Sequence, residues 1–339
     1  MKLIETKNAV GHVLCHDLTR IVPGQMKDAQ FRKGHVVTED DIPMLLSMGK
    51  EHLYVWEVDE DTLHENEAAQ RLAALCEGPH MRRGEVKEGK IELFAETRGL
   101  FLVDGARLDA INALDEIMIA TRRGGCAVER GDKLCGTRVI PLVIDKQKLE
   151  AAEEIAGKEP LLSLHPFRPM KAGIVTTGSE VYKGLIEDKF TPVVVGKLAF
   201  YGIETVCRRV TDDDAEHIVS AINDVRASGV DVVVCTGGMS VDPDDRTPAA
   251  IRNSGADIVT YGAPVLPGAM FLLGYYGDGV PVMGLPGCVM YAKRTIFDVV
   301  LPRIAAGIRT QKSDLSRLGN GGLCLNCPTC IFPNCAFGK

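Results

Sequence analysis

Aromatic side chains and excess positive charge are both scarce in this 339-residue sequence. Aromatic residues make up 5% of the chain, with a single tryptophan, Trp56, so a stacking platform for single-stranded nucleic acid is not expected. Lys and Arg total 39 against 46 Asp and Glu, which gives a formal net charge of −7. Because nucleic-acid binding depends on clustered cations, we expect no nucleic-acid partner.

Signals for membrane insertion and export are also missing from the sequence. No stretch approaches the roughly 20 consecutive apolar residues that a membrane-spanning helix needs. The opening residues MKLIETKNAVGHVL do not place positive charge before an apolar core, as a signal peptide does. We therefore expect a cytoplasmic protein without a membrane partner.

Eleven cysteines in a reducing compartment are not expected to form structural disulfides. Seven are scattered along the chain, and most are predicted to be small buried side chains. One of the seven, Cys288, precedes a predicted helix, where a thiol pKa is often depressed, but we favour a packing role for it too.

The other four cysteines crowd into the end of the sequence with the spacing C-x2-C-x2-C-x4-C. This spacing is typical of four thiolates that hold an iron–sulfur cluster or a zinc ion. A redox-active dithiol set and a disordered reactive tail are the alternatives. The predicted ligands are Cys324, Cys327, Cys330 and Cys335.

Alternating strand and helix patterns predict an α/β protein in four regions. Its main part is a C-terminal three-layer α/β domain with a mostly parallel sheet, preceded by an N-terminal mixed α+β region and followed by a cysteine-rich tail outside the domain's core. A polar helix and three prolines form a stiff linker. The predicted regions are 1–144 (mixed), 145–170 (helix and Pro-rich linker), 171–307 (α/β domain) and 308–339 (tail).

Apolar runs and periodicities place individual elements within these regions. The first two regions have predicted helices starting near Thr38, near Asp61–Thr62 and near Asp145, and strands over His52–Val58, Ile91–Phe94 and Arg138–Ile144. In the α/β domain the predicted strands are Ala172–Thr176, Thr205–Val210, Val230–Cys235 and Val280–Met283, and the main helices are Asp213–Ser228 and Val289–Leu301.

Glycine-bearing loops follow three of these strands, and parallel strands would bring the loops to one edge of the sheet. Backbone N–H groups, helix N-termini and hydroxyls there suit a phosphorylated or otherwise anionic small ligand. The loops match neither G-x-G-x-x-G nor a P-loop. They are Thr176–Glu180, Thr236–Ser240 and Gly284–Gly287.

Carboxylates gather at the same predicted edge. Helix capping accounts for Asp213 and Asp214, and a cap before Thr247 is one explanation for Asp245. Capping does not account for the whole group of acidic residues beside the anion site. Several carboxylates at such a place indicate a Mg²⁺ site, because Mg²⁺ prefers oxygen ligands and bridges to phosphates. The remaining acidic residues are Glu180, Asp188, Asp212, Asp242 and Asp244.

These loops resemble the molybdopterin-binding domain of molybdenum-cofactor biosynthesis proteins, a family that includes MogA-like adenylyltransferases and MoeA-like molybdenumtransferases. The resemblance covers roughly Lys171–Gly307 with the order of the motifs intact, and a weaker one covers the segment from Val10 onward. The motifs that carry it are Thr177-Gly-Ser-Glu180, Thr236-Gly-Gly-Met-Ser240, Asp245-Arg-Thr-Pro248 and Gly284-Leu-Pro-Gly287.

The resemblance implies that a pterin dithiolene phosphate lies across the glycine loops. The residues expected to bind it are Thr176, Thr177, Gly178, Ser179, Gly237, Gly238, Ser240, Pro286 and Gly287. It also implies catalytic or metal-binding carboxylates at Glu180, Asp212 and Asp245, and the predicted Mg²⁺ ligands are Asp188, Asp242 and Asp245.

The sequence departs from the family pattern at several positions. Two lysines that molybdenumtransferases use for molybdate correspond here to Leu266 and Ala269, and an asparagine and an Asn-Pro pair correspond to Phe190 and Cys288-Val289. Without the two cations, a doubly negative oxyanion is held less well.

We therefore expect molybdopterin binding in molybdenum- or tungsten-cofactor biosynthesis, with Mg²⁺-assisted metal insertion or pterin-phosphate transfer. Molybdate or tungstate, a molybdoenzyme or another cofactor-biosynthesis protein, and a second copy of the chain are the expected partners. The alternative is a carrier, chaperone or sensor without turnover, whose cysteine tail is redox-active or binds metal.

Overall fold

A computed structural model describes residues 2–22, 26–55, 61–240, 242 and 245–338 of the chain. Trp56 to Val58 of one predicted strand, and Asp244 of the acidic group, lie outside the described residues.

Nineteen β-strands are present within the described residues. They are β1 Lys2–Glu5, β2 Leu18–Val22, β3 Met26–Phe31, β4 His52–Val55, β5 Thr62–His64, β6 Met81–Arg83, β7 Lys90–Ala95, β8 Gly99–Val103, β9 Ile117–Thr121, β10 Cys126–Val128, β11 Lys133–Val139, β12 Val143–Asp145, β13 Leu162–Pro166, β14 Met170–Thr177, β15 Ile203–Thr211, β16 Val232–Thr236, β17 Asp257–Tyr261, β18 Leu272–Tyr275 and β19 Pro281–Leu285.

Ten α-helices and three short 3-10 turns connect the strands within the described residues. The α-helices are α1 Asp41–Ser47, α2 Glu65–Cys76, α3 Gly105–Asn112, α4 Lys146–Ala156, α5 Ser179–Tyr182, α6 Phe190–Phe200, α7 Ala215–Ala227, α8 Thr247–Asn253, α9 Ile296–Ala305 and α10 Lys312–Ser316. The 3-10 turns are Thr6–Asn8, Gly287–Met290 and Arg317–Gly319. None of the described helices is both long and apolar enough to cross a bilayer.

The chain divides into two compact units. The first comprises Met1–Glu96, Val103–Arg122 and Gly131–Ser163, and the second comprises Thr97–Leu102, Arg123–Arg130 and Leu164–Lys339. The domain boundaries expected from the sequence stay predictions.

The first unit is built from antiparallel strands and short helices. Its largest sheet has the order β6-β7-β11-β9, and the pairs β1–β4, β2–β3 and β5–β12 form two-stranded sheets. Helix α1 begins where the sequence predicts, because the Asp41 carboxylate accepts hydrogen bonds from the backbone and hydroxyl of Thr38 at 2.8 Å.

Two predictions for this unit are wrong in their bounds. The helix expected from Asp61–Thr62 begins at Glu65, because His64 ends strand β5 and its ring accepts from the Asn66 backbone N–H as an N-cap. The strand expected over Arg138–Ile144 is two separate strands, β11 and β12, that pair with different partners.

The second unit confirms the predicted α/β class. Its six-stranded sheet has the order β15-β14-β16-β19-β18-β17. The first four strands are parallel, and β18 and β17 are antiparallel to their neighbours. A parallel sheet with crossover helices is covered on both faces. The side chains of β14 are buried from Ala172 to Thr177, and those of β16 are buried along the whole strand.

Successive residues of the central strands point into two different cores, as the two-residue period of a strand requires. Ile174 and Val234 pack with helices α6 and α9 on one face. Val175 and Val233 pack with helices α7 and α8 on the other face. The domain therefore has three layers.

Three sequence-based assignments in the second unit are corrected by the structure. The closing helix does not run from Val289 but begins at Ile296, since Thr295 and Asp298 form a capping box. Helix α7 is capped by Asp214, which accepts from two backbone N–H groups, and not by Asp213. Strand β13, Leu162–Pro166, lies inside the segment predicted as a proline-rich linker.

The tail packs against the core of the second unit, so the prediction that it lies outside the domain's core is wrong. Phe337 is 4% exposed and belongs with Leu315 to the same core as helix α9. The backbone of Leu266 pairs with Gly322 and Cys324, and Arg123 donates a hydrogen bond to the Phe337 carbonyl at 2.8 Å. Both ends of the cysteine segment are therefore fixed to the domain.

We expect Phe337→Ala to destabilise the second unit by about 3–5 kcal/mol, because truncating a buried phenylalanine leaves a cavity. Leu325→Ala is the matched control, since Leu325 is 75% exposed in the same segment and should change stability by less than about 0.5 kcal/mol. Hydrogen exchange of the β14 and β16 amides under increasing urea measures both effects. Equal stabilities of the two variants would show that the tail is not part of the core.

Candidate functional site

The ends of β14, β16 and β19 meet at one edge of the sheet and surround two adjoining cavities. The first is about 460 Å³ and lies between the loops after β14 and β16. The second is about 400 Å³ and lies between the loops after β16 and β19. Phe190, Gly237, Gly238 and Asp245 line both, so the two cavities share a wall.

The Gly237–Gly238 pair allows the β16 loop to approach the β14 loop closely. Both residues have positive φ, +87° and +54°, which side chains disfavour. A Cβ on Gly237 would lie 2.2 Å from the Thr177 carbonyl oxygen, and one on Gly238 would lie 2.8 Å from the Thr247 hydroxyl. Only glycine fits at these positions.

A chain of buried threonine hydroxyls forms the floor beneath the loops. Thr176 bonds to Thr191 at 2.9 Å and accepts from Thr236 at 3.3 Å. Thr177 bonds to Thr247 at 3.0 Å. Because these hydroxyls satisfy one another, Thr176 and Thr177 fix the loop positions and do not present free donors.

Acidic side chains dominate the first cavity. Among the residues described there, Lys189 is the one cation in its lining. A phosphate in this cavity would meet net repulsion unless a cation accompanied it. The acidic lining residues are Glu180, Glu187, Asp188, Asp213, Asp242 and Asp245.

Three of these carboxylates bind backbone N–H groups of the site itself. Asp188 accepts from the N–H groups of Phe190 and Thr191, both at 3.0 Å, at the start of helix α6. Asp213 accepts from Ser179 at 2.8 Å, so it ties the β15 loop to the β14 loop.

Asp245 accepts from the backbone N–H of Ser240 at 2.9 Å. Helix α8 has no side-chain cap, so the capping role considered for Asp245 is wrong. The N–H groups of Ser179 and Ser240, expected to face an anion, are occupied by carboxylates of the chain.

Asp212 lies outside both cavity linings and pairs with His217. Their side chains are 2.9 Å apart, and the Asp214 backbone N–H also donates to Asp212. The hydrogen bond from His217 lowers the pKa of the Asp212 carboxyl, and Asp212 in turn raises the pKa of the His217 imidazole. The pair is solvent-exposed.

Most of the predicted site residues line the two cavities, and two do not. Ser179 and Asp212 are outside both linings. Among the described residues, no three acidic, histidine or cysteine side chains are close enough to hold one metal ion. Asp188, Asp242 and Asp245 are therefore near one another without forming a ready-made magnesium site. The predicted residues found in the linings are Thr176, Thr177, Gly178, Glu180, Asp188, Gly237, Gly238, Ser240, Asp242, Asp245, Pro286 and Gly287.

Most of the positions that depart from the family pattern contribute apolar side chains to the wall of the second cavity. Ala269, Phe190 and Cys288 line the second cavity, while Leu266 is 56% exposed and lies outside both linings. Burial raises the pKa of the Cys288 thiol, which opposes an activated thiolate and agrees with a packing role.

The four tail cysteines line a third cavity of about 520 Å³. Lys293 and Arg294 lie in its wall, just before helix α9. A hydrogen bond from the Phe332 backbone, together with the Arg294 guanidinium, lowers the pKa of the Cys330 thiol. The structure therefore brings the four thiols around one space, although they are not close enough together to hold a single metal ion.

Comparison with known protein families supports this description of the second unit. Residues 173–306 match the family model described as "Probable molybdopterin binding domain". This segment is therefore similar to a molybdopterin-binding domain. The resemblance inferred from the glycine loops is confirmed for this part of the chain, and residues 3–57 match a model described as a domain of unknown function.

Curated relatives match a shorter stretch than the family model does. A CinA-like protein of Mycobacterium sp. (strain MCS) is 32% identical over 90 residues, which is 26% of this chain and 21% of the relative. A CinA-like protein of Pseudothermotoga lettingae is 35% identical over 83 residues, 24% of this chain and 20% of the relative. The matches thus span about a fifth of these relatives.

Solved structures resemble part of this chain. The tungsten cofactor synthesizing protein MoaB from Pyrococcus furiosus is 24% identical and covers 40% of this chain and 88% of its own, with a TM-score of 0.32. The protein CinA from Thermoplasma acidophilum is 18% identical and covers 40% of this chain and 98% of its own, with a TM-score of 0.34.

Several residues that shape the site in the second unit were not predicted from the sequence. The Tyr261 hydroxyl donates to the Met239 carbonyl at 3.2 Å and fixes the β16 loop from strand β17. Lys293 and Arg294 are a basic pair directly before the T-x-x-D capping box of α9, and that local pattern could have identified them. No local pattern connects Tyr261 to its partner.

Gly237→Ala should disrupt the cavities, because its Cβ collides with a backbone atom. Gly202→Ala is the matched control, since Gly202 also has positive φ (+76°) but open space around its Cβ. Both variants should lose about 1–2 kcal/mol from backbone strain, and Gly237→Ala should lose clearly more. Urea unfolding of both variants tests this expectation, and equal losses would mean that the β16 loop can move away.

Asp212→Asn should lower the pKa of His217 toward its ordinary value, measured by NMR titration of the imidazole. The native pair stabilises the fold where both groups are charged. That contribution is lost as pH rises through the raised pKa of His217, and also as pH falls through the lowered pKa of Asp212. Asp257→Asn on strand β17 is the control. A His217 pKa that stays raised in Asp212→Asn would contradict the pairing.

Proposed function

We propose that the second unit binds molybdopterin, with the terminal phosphate of the pterin across the glycine loops. The observation that carries this proposal is that the loops after three parallel strands line two adjoining cavities inside the segment that matches the family model. Helix and strand ends at such an edge are where open α/β sheets bind ligands.

We propose further that Mg²⁺ accompanies the phosphate, because the first cavity is acidic. Mg²⁺ is commonly held by one or two carboxylates together with substrate phosphates and waters, so a three-carboxylate cage is not needed. Asp245 and Asp242 are the proposed ligands, since both line the cavity between the β14 and β16 loops. The ion would supply positive charge opposite the phosphate.

The resulting function is Mg²⁺-assisted metal insertion or pterin-phosphate transfer in molybdenum- or tungsten-cofactor biosynthesis, with molybdate or tungstate as the metal source. Glu180 and Asp245 would stand beside the reacting end of the pterin. Asp212 has its side chain committed to His217, so we assign it the positioning of the β15 loop. A molybdoenzyme or another cofactor-biosynthesis protein would be the partner that receives the product, and a second copy of the chain would form a homo-oligomer.

A second candidate function is a carrier or sensor of molybdopterin without turnover. Two observations favour it. The positions expected to hold molybdate are Leu266 and Ala269, which bring no charge, and the cysteine tail lines a cavity of its own that could hold an iron–sulfur cluster or a zinc ion. A transfer assay with molybdopterin, nucleotide, Mg²⁺ and molybdate or tungstate separates the two, because only an enzyme turns over.

Pterin fluorescence titration of the full chain tests the binding itself. We expect saturable binding of molybdopterin that is weakened when Mg²⁺ is removed. Absence of binding in both conditions would overturn the proposed function in both of its forms.

Asp245→Asn should fold normally, since an asparagine oxygen can still accept from the Ser240 N–H, and should lose most Mg²⁺-dependent transfer because an amide is a weak Mg²⁺ ligand. Pterin affinity without Mg²⁺ should rise slightly, because one negative charge is removed. Asp224→Asn, an exposed acid on helix α7, is the control. An unchanged single-turnover rate in Asp245→Asn would remove Asp245 from the mechanism.

A further inference from the structure

We propose that the C-terminal cysteine segment is a binding site for a [4Fe–4S] cluster, held by Cys324, Cys327, Cys330 and Cys335. The four thiols line one cavity of about 520 Å³. The inference goes beyond the proposed function and does not depend on pterin binding.

The spacing of the thiols favours a cluster over a single zinc ion. Four thiolates on one zinc ion lie about 2.3 Å from the metal, so their sulfurs must almost touch. Among the described residues, no three potential ligands are gathered in that way, while all four cysteines line the same cavity. Each iron of a cubane takes one cysteine, so the thiolates stand at separate corners around a larger volume.

The segment is fixed at both ends and open in the middle. At its start the Cys324 N–H donates to the Leu266 carbonyl at 2.8 Å, and at its end Phe337 is buried in the core. Between them Cys327 and Cys330 are exposed. A loop with this construction can close over a cluster without any change in the fold beneath it.

The cavity wall supplies the positive charge and the apolar surface that a cluster needs. A cubane with four thiolates is an anion, and burying an anion is costly without nearby cations. Lys293 lies in the wall and donates to the Pro328 carbonyl at 3.1 Å. Arg294 lies beside it, and its buried Nε has no hydrogen-bond partner in the part of the chain that the structure describes. Phe332 and Phe337 line the apolar side.

Anaerobic reconstitution of the full chain with ferrous iron and sulfide tests the inference. We expect about four iron ions and four sulfides per chain, with a broad visible absorption that dithionite bleaches. About one zinc per chain and no iron when both metals are offered would overturn it, and so would about two irons per chain.

Variants assign the cluster to these residues. Cys327→Ser and Cys330→Ser should each retain less than half of the iron of the parent, while Cys207→Ser, a partly exposed thiol on strand β15 outside the cavity, should retain all of it. Full iron in either tail variant would refute the site. Thermal unfolding of the same variants checks that they are folded, and iron content is measured without pterin, so the two proposals fail independently.

The midpoint potential of Lys293→Gln gives a second test. This potential would not change if Lys293 had only a structural role. A cation beside the cluster stabilises its reduced, more negative state. We therefore expect the variant to bind iron normally and to have a more negative midpoint potential than the parent. An identical potential would show that Lys293 does not face the cluster.

Discussion

The buried carboxylate of Asp298 is the interaction on which both candidate sites of the second unit depend. It is 4% exposed, accepts from the Thr295 backbone N–H at 2.9 Å, and forms ion pairs with Lys197 at 2.6 Å and Arg294 at 2.9 Å. This one carboxylate therefore caps the start of helix α9, links it to helix α6 through Lys197 and orients Arg294. Removing one partner from such a buried network typically costs about 3–5 kcal/mol.

This interaction fixes the path of the chain between β19 and α9. The first part of that path, Pro286–Cys288, lines the second glycine-loop cavity, and the last part, Tyr291–Arg294, lines the cysteine cavity. The loop before β18 does the same, with Ala269 in one lining and Pro267 in the other. Two short segments therefore contribute to both sites.

The glycine-loop edge was predictable because its signals are local. Strand β16 is a continuous apolar run that ends in Gly237 and Gly238, and a parallel sheet places such ends together. The start of helix α9 was missed because apolar residues lie on both sides of the short polar stretch Lys293–Thr295. The apolar pattern therefore predicts one longer helix, and it does not show that Thr295 and Asp298 begin the helix.

Contacts between distant residues were not predictable in the same way. Asp213 looks like a cap in sequence, beside an actual cap at Asp214, and only the fold shows that it reaches Ser179, 34 positions away. The tail has no helical or strand period, so nothing local shows that Phe337 is buried. Burial of the tail follows from the apolar surface that α9 and β18 leave beside it.

The two sites differ in charge, so an anionic ligand needs an accompanying cation in one of them and not in the other. The first glycine-loop cavity is lined by six carboxylates and one lysine among its described residues, so an anionic pterin phosphate needs a cation beside it. The cysteine cavity has Lys293 and Arg294 and no carboxylate among its described lining residues, so it suits an anionic centre directly. Asp298 orients Arg294 from outside that lining, and Lys197 pairs with the same carboxylate and offsets its negative charge. The same carboxylate therefore stabilises the fold and leaves the cysteine cavity positive.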